Sequence, residues 1–287
     1  MTKRSLKEQL TDPSFDVVYS ILSLDALSAR LAEQAGFTCG YVSGGALGYA
    51  HAVSEALLTM DELADVVRHV SARSELDIVV DGGVGFGDPV HVGRAVQLLE
   101  QAGASAVEIE DQVAPKRVSH HRGLEHLVGV TVMVDKVKAA VDARNCADTL
   151  IIARTGAVKN ESLQQACERA AKYVEAGADA ILITPEDDIG WQQVCDQVDV
   201  PKVSFGALAG KTQAQWAKLG VSLVIDPFTP QVLQVQALQR TYADFFAGEV
   251  MDPDIKSLFT TYNQLDDLAG FGKYYALEDE TTEKTNQ

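Results

Sequence analysis

Several short apolar runs end in residues able to bind a metal ion or an oxyanion. Read in chain order, the run ends are Ser43-Gly44-Gly45, Asp81-Gly82-Gly83, Glu110-Asp111, Arg154-Thr155, Glu186 and Asp226. Carboxylate oxygens are the ligands preferred by a hard cation such as Mg²⁺, with Mn²⁺ a close substitute. An arginine beside them can grip a carboxylate with two parallel N–H donors. Glycines let backbone N–H groups approach an oxyanion closely. Together these groups could hold a small carboxylate and neutralise the charge of an enolate made from it. The competing reading is that strand-end Asp and Glu merely cap the helices that follow. Their accumulation at several successive run ends favours a site.

Such a site needs elements that bring all the run ends to one rim. A loose repeat supplies them: an amphipathic helix stops at a glycine and passes into a short apolar strand, in EQAGFTCGYVS (33–43), EQAGASAVEIE (100–110), VEAGADAILIT (174–184) and AKLGVSLVID (217–226). Glycine can take the left-handed conformation that ends a helix. Further β-rich runs are DVVYSI (16–21), LDIVVD (76–81), DTLIIART (148–155) and VPKVSF (200–205). These eight strands alternate with helices and lack polar alternation, as burial on both faces of a parallel sheet requires. The expected fold is a (β/α)₈ TIM-type barrel with its site at the C-terminal ends of the strands. The expected domains are a barrel over 1–245 and a C-terminal helical extension over 246–287 that finishes in a disordered tail.

The chain has 287 residues, 46% hydrophobic and 23% charged, enough for one large core. Its formal net charge of -17 repels nucleic acid and anionic membranes, so neither is an expected partner. An anionic substrate meets the same repulsion, and the site must concentrate its own positive charge. Cys39, Cys146, Cys167 and Cys195 have no metal-ligand spacing and read as reduced thiols, Cys39 in the core. Residues 1–15 are polar and no later run could span a bilayer, so a cytoplasmic location is expected. Trp191 and Trp216 read as helix packing. The GVGFG string does not match the G-x-G-x-x-G dinucleotide spacing.

The strings VVDGGVGFGDP (79–89), VEIEDQVAPKRVSHH (107–121) and IIARTGAV (151–158) resemble the phosphoenolpyruvate mutase/isocitrate lyase superfamily, especially its methylisocitrate-lyase-like and oxaloacetate-decarboxylase-like branches. The similarity extends from YVSGG (41–45) to GFGKYYALEDE (270–280). The resemblance implies that Tyr41, Ser43, Gly44 and Gly45 bind the carboxylate and keto end of the substrate. It places Asp81, first residue of the family's Asp-x-Asp motif, on Mg²⁺, and gives Glu110 a water-mediated metal contact. Arg154 becomes the substrate-binding arginine, and Glu186 falls where another polar site residue is usual. The family's closing loop, Lys-Arg-Cys-Gly-His, corresponds to Lys116-Arg117-Val118-Ser119-His120. Lys116 and Arg117 are expected to contact the anion, and His120 or His121 to donate a proton.

The departures bear on the reaction. Gly83 replaces the second Asp of the metal motif, Val84 its Thr, and Gly156 the Asp after Ala-Arg-Thr. Only Ser54 or Glu55 stands near the acid expected after YVSGG. Val118 replaces the cysteine that serves as proton donor in isocitrate and methylisocitrate lyases, and also the Asn that steadies the phosphoryl group in phosphonopyruvate enzymes. What remains needs little from the loop: a Mg²⁺-assisted lyase or decarboxylase acting on a small 2-oxo or 2-hydroxy dicarboxylate, oxaloacetate-like, through a pyruvate enolate. Catalysis is assigned to Arg154, Lys116, His120 and Glu110. The alternatives are C–C cleavage of a substituted malate, P–C cleavage of a phosphonopyruvate, or a barrel that binds a carboxylate without efficient catalysis. The C-terminal helices are similar to the family's exchanged helix, which implies a homo-oligomer, a dimer of dimers.

Overall fold

A computed structural model describes residues 4–120, 122–206, 210–248 and 255–283. Eight parallel strands close a barrel in sequential order: β1 Val18–Leu22, β2 Cys39–Val42, β3 Asp77–Asp81, β4 Ala106–Glu110, β5 Leu150–Arg154, β6 Ala180–Leu182, β7 Lys202–Phe205 and β8 Val221–Asp226. β8 pairs with β1 in parallel register, Val18 beside Leu223, which closes the ring. All eight strands lie within or beside the apolar runs expected to form them. The four repeat glycines, Gly36, Gly103, Gly177 and Gly220, have φ of 98°, 108°, 106° and 72°. Each helix therefore stops where a residue without Cβ can take the left-handed turn.

Alternation along each strand decides which side chains enter the barrel. Ile78, Val80, Val107, Ile109, Ile151 and Ala153 face the outer helices and join the larger apolar core. Their neighbours of opposite parity, among them Tyr41, Val79, Ala106, Leu150 and Ile152, form the inner core. By the same parity Asp81, Glu108, Glu110 and Arg154 point inward at the C-terminal rim. Helix Leu6–Thr11 adds Leu6 and Leu10 to the inner core. The polar character of residues 1–15 had hidden that role. Cys39 is buried in the inner core, and Trp191 meets Trp216 edge to face at 6.4 Å.

By its internal contacts the chain divides into a barrel unit ending at Thr229 and a second unit, 230–287, earlier than the 245/246 boundary drawn from sequence. The second unit holds most of helix Thr229–Phe246, helix Ile255–Ala269 and helix Gly272–Glu280. Leu233, Phe245, Phe246, Phe259, Tyr262 and Leu277 are exposed on it. Among the described residues no helix is long and apolar enough to cross a membrane.

Candidate active site

The rim holds the cations Arg154 and Lys116, of which the half-buried Arg154 lies at the end of β5. Arg154 donates from Nη1 to Glu108 Oε1 at 3.0 Å, and its Nε lies 3.6 Å from Glu110 Oε2. The guanidinium carbon stands 4.9 Å from the centre of the Phe205 ring. Nη2 has no protein partner among the described residues. Flanking carboxylates and an aromatic face thus fix the fork in one plane and leave one edge for a ligand. Tyr41 donates its hydroxyl to Glu108 Oε2 at 2.9 Å.

Asp81 is held by backbone donors on both oxygens, Gly83 N at 2.9 Å and Gly44 N at 3.2 Å. Ser43 Oγ accepts from Ala46 N at 3.2 Å and so caps the helix Gly44–Ala50. The capping reading therefore accounts for the Ser43 hydroxyl. It also accounts for Asp226, whose Oδ1 accepts from Phe228 N at 3.3 Å and Thr229 N at 3.0 Å.

Lys116 reaches in from the loop after β4. Its ammonium lies 2.5 Å from Glu110 Oε1 and pairs closely with Glu55. Glu55 also meets His120 Nε2 at 2.9 Å, and His120 Nδ1 lies 2.8 Å from the Arg117 carbonyl. Of Ser54 and Glu55, it is Glu55 whose carboxylate meets Lys116 and His120. A Cβ at position 45 would stand 2.9 Å from its Oε2, so Gly45 leaves the room in which that carboxylate sits. Glu110 Oε2 accepts from Gln112 Nε2 at 2.9 Å. A cavity of about 190 Å³, lined by Gly44, Glu55, Asp81, Gly83 and Lys116, adjoins these groups. A wider one of about 900 Å³ opens beyond it between Gly45, Tyr49, Val118, Arg117, His120 and Arg122.

Burial and charge pull the two β4 carboxyls apart. Burial and the nearby Asp81 charge push Glu108 up to about 7, against the pull of Arg154 and Tyr41. Burial opposes the charge of Glu110 as well, but Lys116 and Arg154 hold it at about 2. Burial likewise disfavours the Lys116 cation, and Glu110, Asp81 and Glu55 outweigh it, raising its pKa. Environment thus leaves Glu110 the anion and Glu108 the proton-holding partner. In metal-free protein this fixes the sign of the pH dependence. A folded-state pKa near 7 against an ordinary 4.5 means that the Glu108 contribution to stability falls as pH rises from about 4.5 to 7. The Glu110 contribution has the opposite sign and is lost as pH falls from about 4.5 to 2. Melting curves in chelator should therefore show Glu108→Gln abolishing the upper decline and sparing the acid limb. A decline that persists unchanged in the variant contradicts the assignment.

The sequence-predicted residues do not all converge. Tyr41, Gly44, Gly45, Asp81, Glu110, Lys116, Arg154 and His120 are linked by the contacts above. Arg117 is exposed, with Nη1 donating to the Pro115 carbonyl at 3.0 Å, and it lines only the wider cavity. Glu186 is exposed beyond β6, with no hydrogen bond or ion pair to the rim among the described residues. His121 lies outside the described residues. Glu108 was missed as a site group, and Glu55 had been named only as one of two residues near the expected acid. Parity with Glu110 on β4 was the available signal for Glu108.

Among the described residues no cluster of three or more His, Cys, Asp or Glu forms a ready-made metal cage. The donor chemistry nevertheless fits a hard divalent ion: Asp81 offers carboxylate oxygens in the lining of a cavity that admits water or ligand, and Glu110 adds a carboxylate behind Lys116, which lines the same cavity. At Gly83 a Cβ would meet nothing within 4 Å, so the missing second Asp leaves open space.

Comparison with known proteins agrees with this geometry. Residues 15–246 match the family described as phosphoenolpyruvate phosphomutase. A 2-methylisocitrate lyase of Aeropyrum pernix is 33% identical over 267 residues, 90% of this chain and 85% of the relative. An oxaloacetate decarboxylase of Paraburkholderia xenovorans is 36% identical over 209 residues, 72% of this chain and 69% of the relative. The solved phosphonopyruvate hydrolase complex with oxalate and Mg²⁺ superposes with a TM-score of 0.85 at 28% identity, covering 96% of this chain and 98% of that one. Sequence, barrel and rim together show that this chain belongs to the phosphoenolpyruvate phosphomutase family, within the phosphoenolpyruvate mutase/isocitrate lyase superfamily.

Proposed function

We propose that this carbon–carbon lyase acts on a small 2-oxo or 2-hydroxy dicarboxylate, oxaloacetate-like, and passes through a pyruvate enolate with the assistance of Mg²⁺. The single observation that carries the reading is the Arg154 guanidinium held open-edged between Glu108 and Glu110, and joined through Glu110 to Lys116, which with Asp81 and Glu55 lines a cavity. At about 30 Å³ per water, that cavity has room for about six waters, which suits a three- or four-carbon acid. Arg154 takes one substrate carboxylate on its free edge, and the Gly44–Gly45 turn borders the keto end. Asp81 and Glu110 would hold the ion, which when bound supplies Lewis-acid polarisation of the keto oxygen. Lys116 adds a second positive charge against the acidic field of the chain and shifts between its carboxylate partners as the ligand enters. The 116–120 loop shuts water from the site.

Val118 argues against cleavage of methylisocitrate by the family's loop cysteine, because a valine cannot supply that proton, whereas a pyruvate enolate can take its proton from another group or from water. The exposed apolar residues of the second unit support a homo-oligomer, a dimer of dimers, in which a neighbouring subunit covers them. Turnover of oxaloacetate, 2-methylisocitrate and phosphonopyruvate measured side by side with Mg²⁺ tests the assignment. Pyruvate and CO₂ from oxaloacetate at a kcat/KM at least about tenfold above the other two is the expected result. Preferred release of succinate or of phosphate from the others would overturn it.

A further inference from the structure

With Val118 in the loop, the proton for the enolate was expected from His120 or His121, and the described candidates beside the loop are engaged. His120 has one ring nitrogen on Glu55 and the other against the Arg117 carbonyl. Lys116 is held between Glu55 and Glu110. Glu125 differs. It lies between β4 and β5, and its carboxyl is folded onto the backbone of Gly156, two residues past Arg154. A Cβ at position 156 would overlap Oε2 outright and stand 2.5 Å from Cδ. The glycine at 156 and the Glu125 carboxyl therefore form one arrangement, because any other residue at 156 would expel the carboxyl.

The position is rigidly supported. Glu125 N donates to Asn160 Oδ1 at 3.1 Å, and Asn160 Nδ2 donates back to the Glu125 carbonyl. Immediately after it, Val113 N donates to His126 O at 2.8 Å and Val128 N to Asp111 O at 2.8 Å. Yet Oε2 is buried without a hydrogen-bond partner among the described residues. The charged groups around it are Arg154 and Lys116, which favour its anion, and Glu110 and Asp111, which oppose it; burial outweighs the cations and raises its pKa. A buried carboxyl with an unused oxygen, on a fixed backbone and in the field of the substrate arginine, is equipped to hold a proton until charge develops nearby.

We propose that Glu125 is the proton donor of this site, a catalytic residue seated in the space that Gly156 leaves open. The proposal rests on the enolate reading above. In the step, the C3–C4 bond of the 2-oxo diacid breaks and CO₂ leaves, with the electron pair retained on the three-carbon fragment as an enolate. That pair, at C3, takes the proton from the Glu125 O–H; the C2 carbonyl reforms, and Glu125 becomes a carboxylate. Glu125 is half-buried, and water returns the proton.

Two measurements on the Mg²⁺-loaded enzyme test this, with oxalate as the probe because one oxygen of its second carboxylate stands where C3 of the enolate would be. Infrared difference spectra on oxalate binding should show a protonated-carboxyl band perturbed in the wild type and absent in Glu125→Gln. Glu125→Gln should bind oxalate within about threefold of wild type yet lose about 100-fold or more in kcat, the range of a positioned general acid. Gly156→Ala should give the same pattern by displacing the carboxyl. A wild type that binds oxalate without perturbing that band, or a glutamine variant within about threefold in kcat, overturns the proposal alone. A wild type that does not bind oxalate overturns the enolate reading and takes the proposal with it.

Discussion

Arg154→Ala is expected to lower kcat/KM by about a thousandfold or more on whichever acid the wild type turns over. At 1.36 kcal/mol per decade, that loss is about 4 kcal/mol of transition-state stabilisation. Two terms contribute. The ligand loses its bidentate partner, and the buried carboxylates Glu108 and Glu110 lose the cation that lies between them. Removing one partner of a buried ion pair costs about 3–5 kcal/mol at most, and less here because Lys116 stays on Glu110 and Glu108 can take up a proton. Arg154→Lys separates the terms, because it keeps the charge and lacks the fork. Folding should be largely restored in the lysine variant and kcat/KM should stay depressed. An alanine variant with wild-type rates contradicts the role of Arg154, whatever the substrate.

The largest effect on stability is expected one layer behind the rim. Asp111 is fully buried. Its carboxylate accepts from Thr155 Oγ1 at 2.7 Å, Tyr173 OH at 2.8 Å, Gly156 N at 3.3 Å and Arg169 Nη1 at 3.4 Å. Arg169 in turn pairs with Glu161 and donates to the Val128 carbonyl at 2.9 Å. The network ties the end of β5 to helix Leu163–Glu175 and to the segment that carries Glu125. Asp111→Ala should cost about 3–5 kcal/mol, since it strands several buried donors at once. For a domain of this size the melting temperature should fall on the order of 10 °C. A drop under about 2 °C would show that the network is not a structural tie.

The fold was legible because its signals are local. A left-handed glycine at the end of each repeat helix is a property of three or four consecutive residues, and Gly36, Gly103, Gly177 and Gly220 all adopt it. Uninterrupted apolar runs likewise announce strands buried on both faces. The residues at the run ends were legible for the same reason, and most of them meet at the rim. Glu186 does not, because the run end alone does not fix the direction of the loop that follows β6. Glu108 was readable from strand parity but lay inside an apolar run, where an acid draws less notice than one at its end. Glu55 was readable only as an alternative to Ser54, and Glu125 was not readable as a site group. Their places depend on glycines outside their own local segments, Gly45 and Gly156, whose missing side chains make room for them. Read alone, Gly156 looked like the loss of a site carboxylate; in the structure, another carboxyl fills the space.

The account turns on an enolate oxygen neutralised by a cation beside Asp81. The most direct test is the melting temperature of the protein titrated with oxalate, in chelator and in Mg²⁺ or Mn²⁺, for wild type and Asp81→Ala. A shift in the wild type that requires the divalent ion and vanishes in Asp81→Ala is the predicted result. No shift with either ion, or an equal shift in chelator, would contradict it.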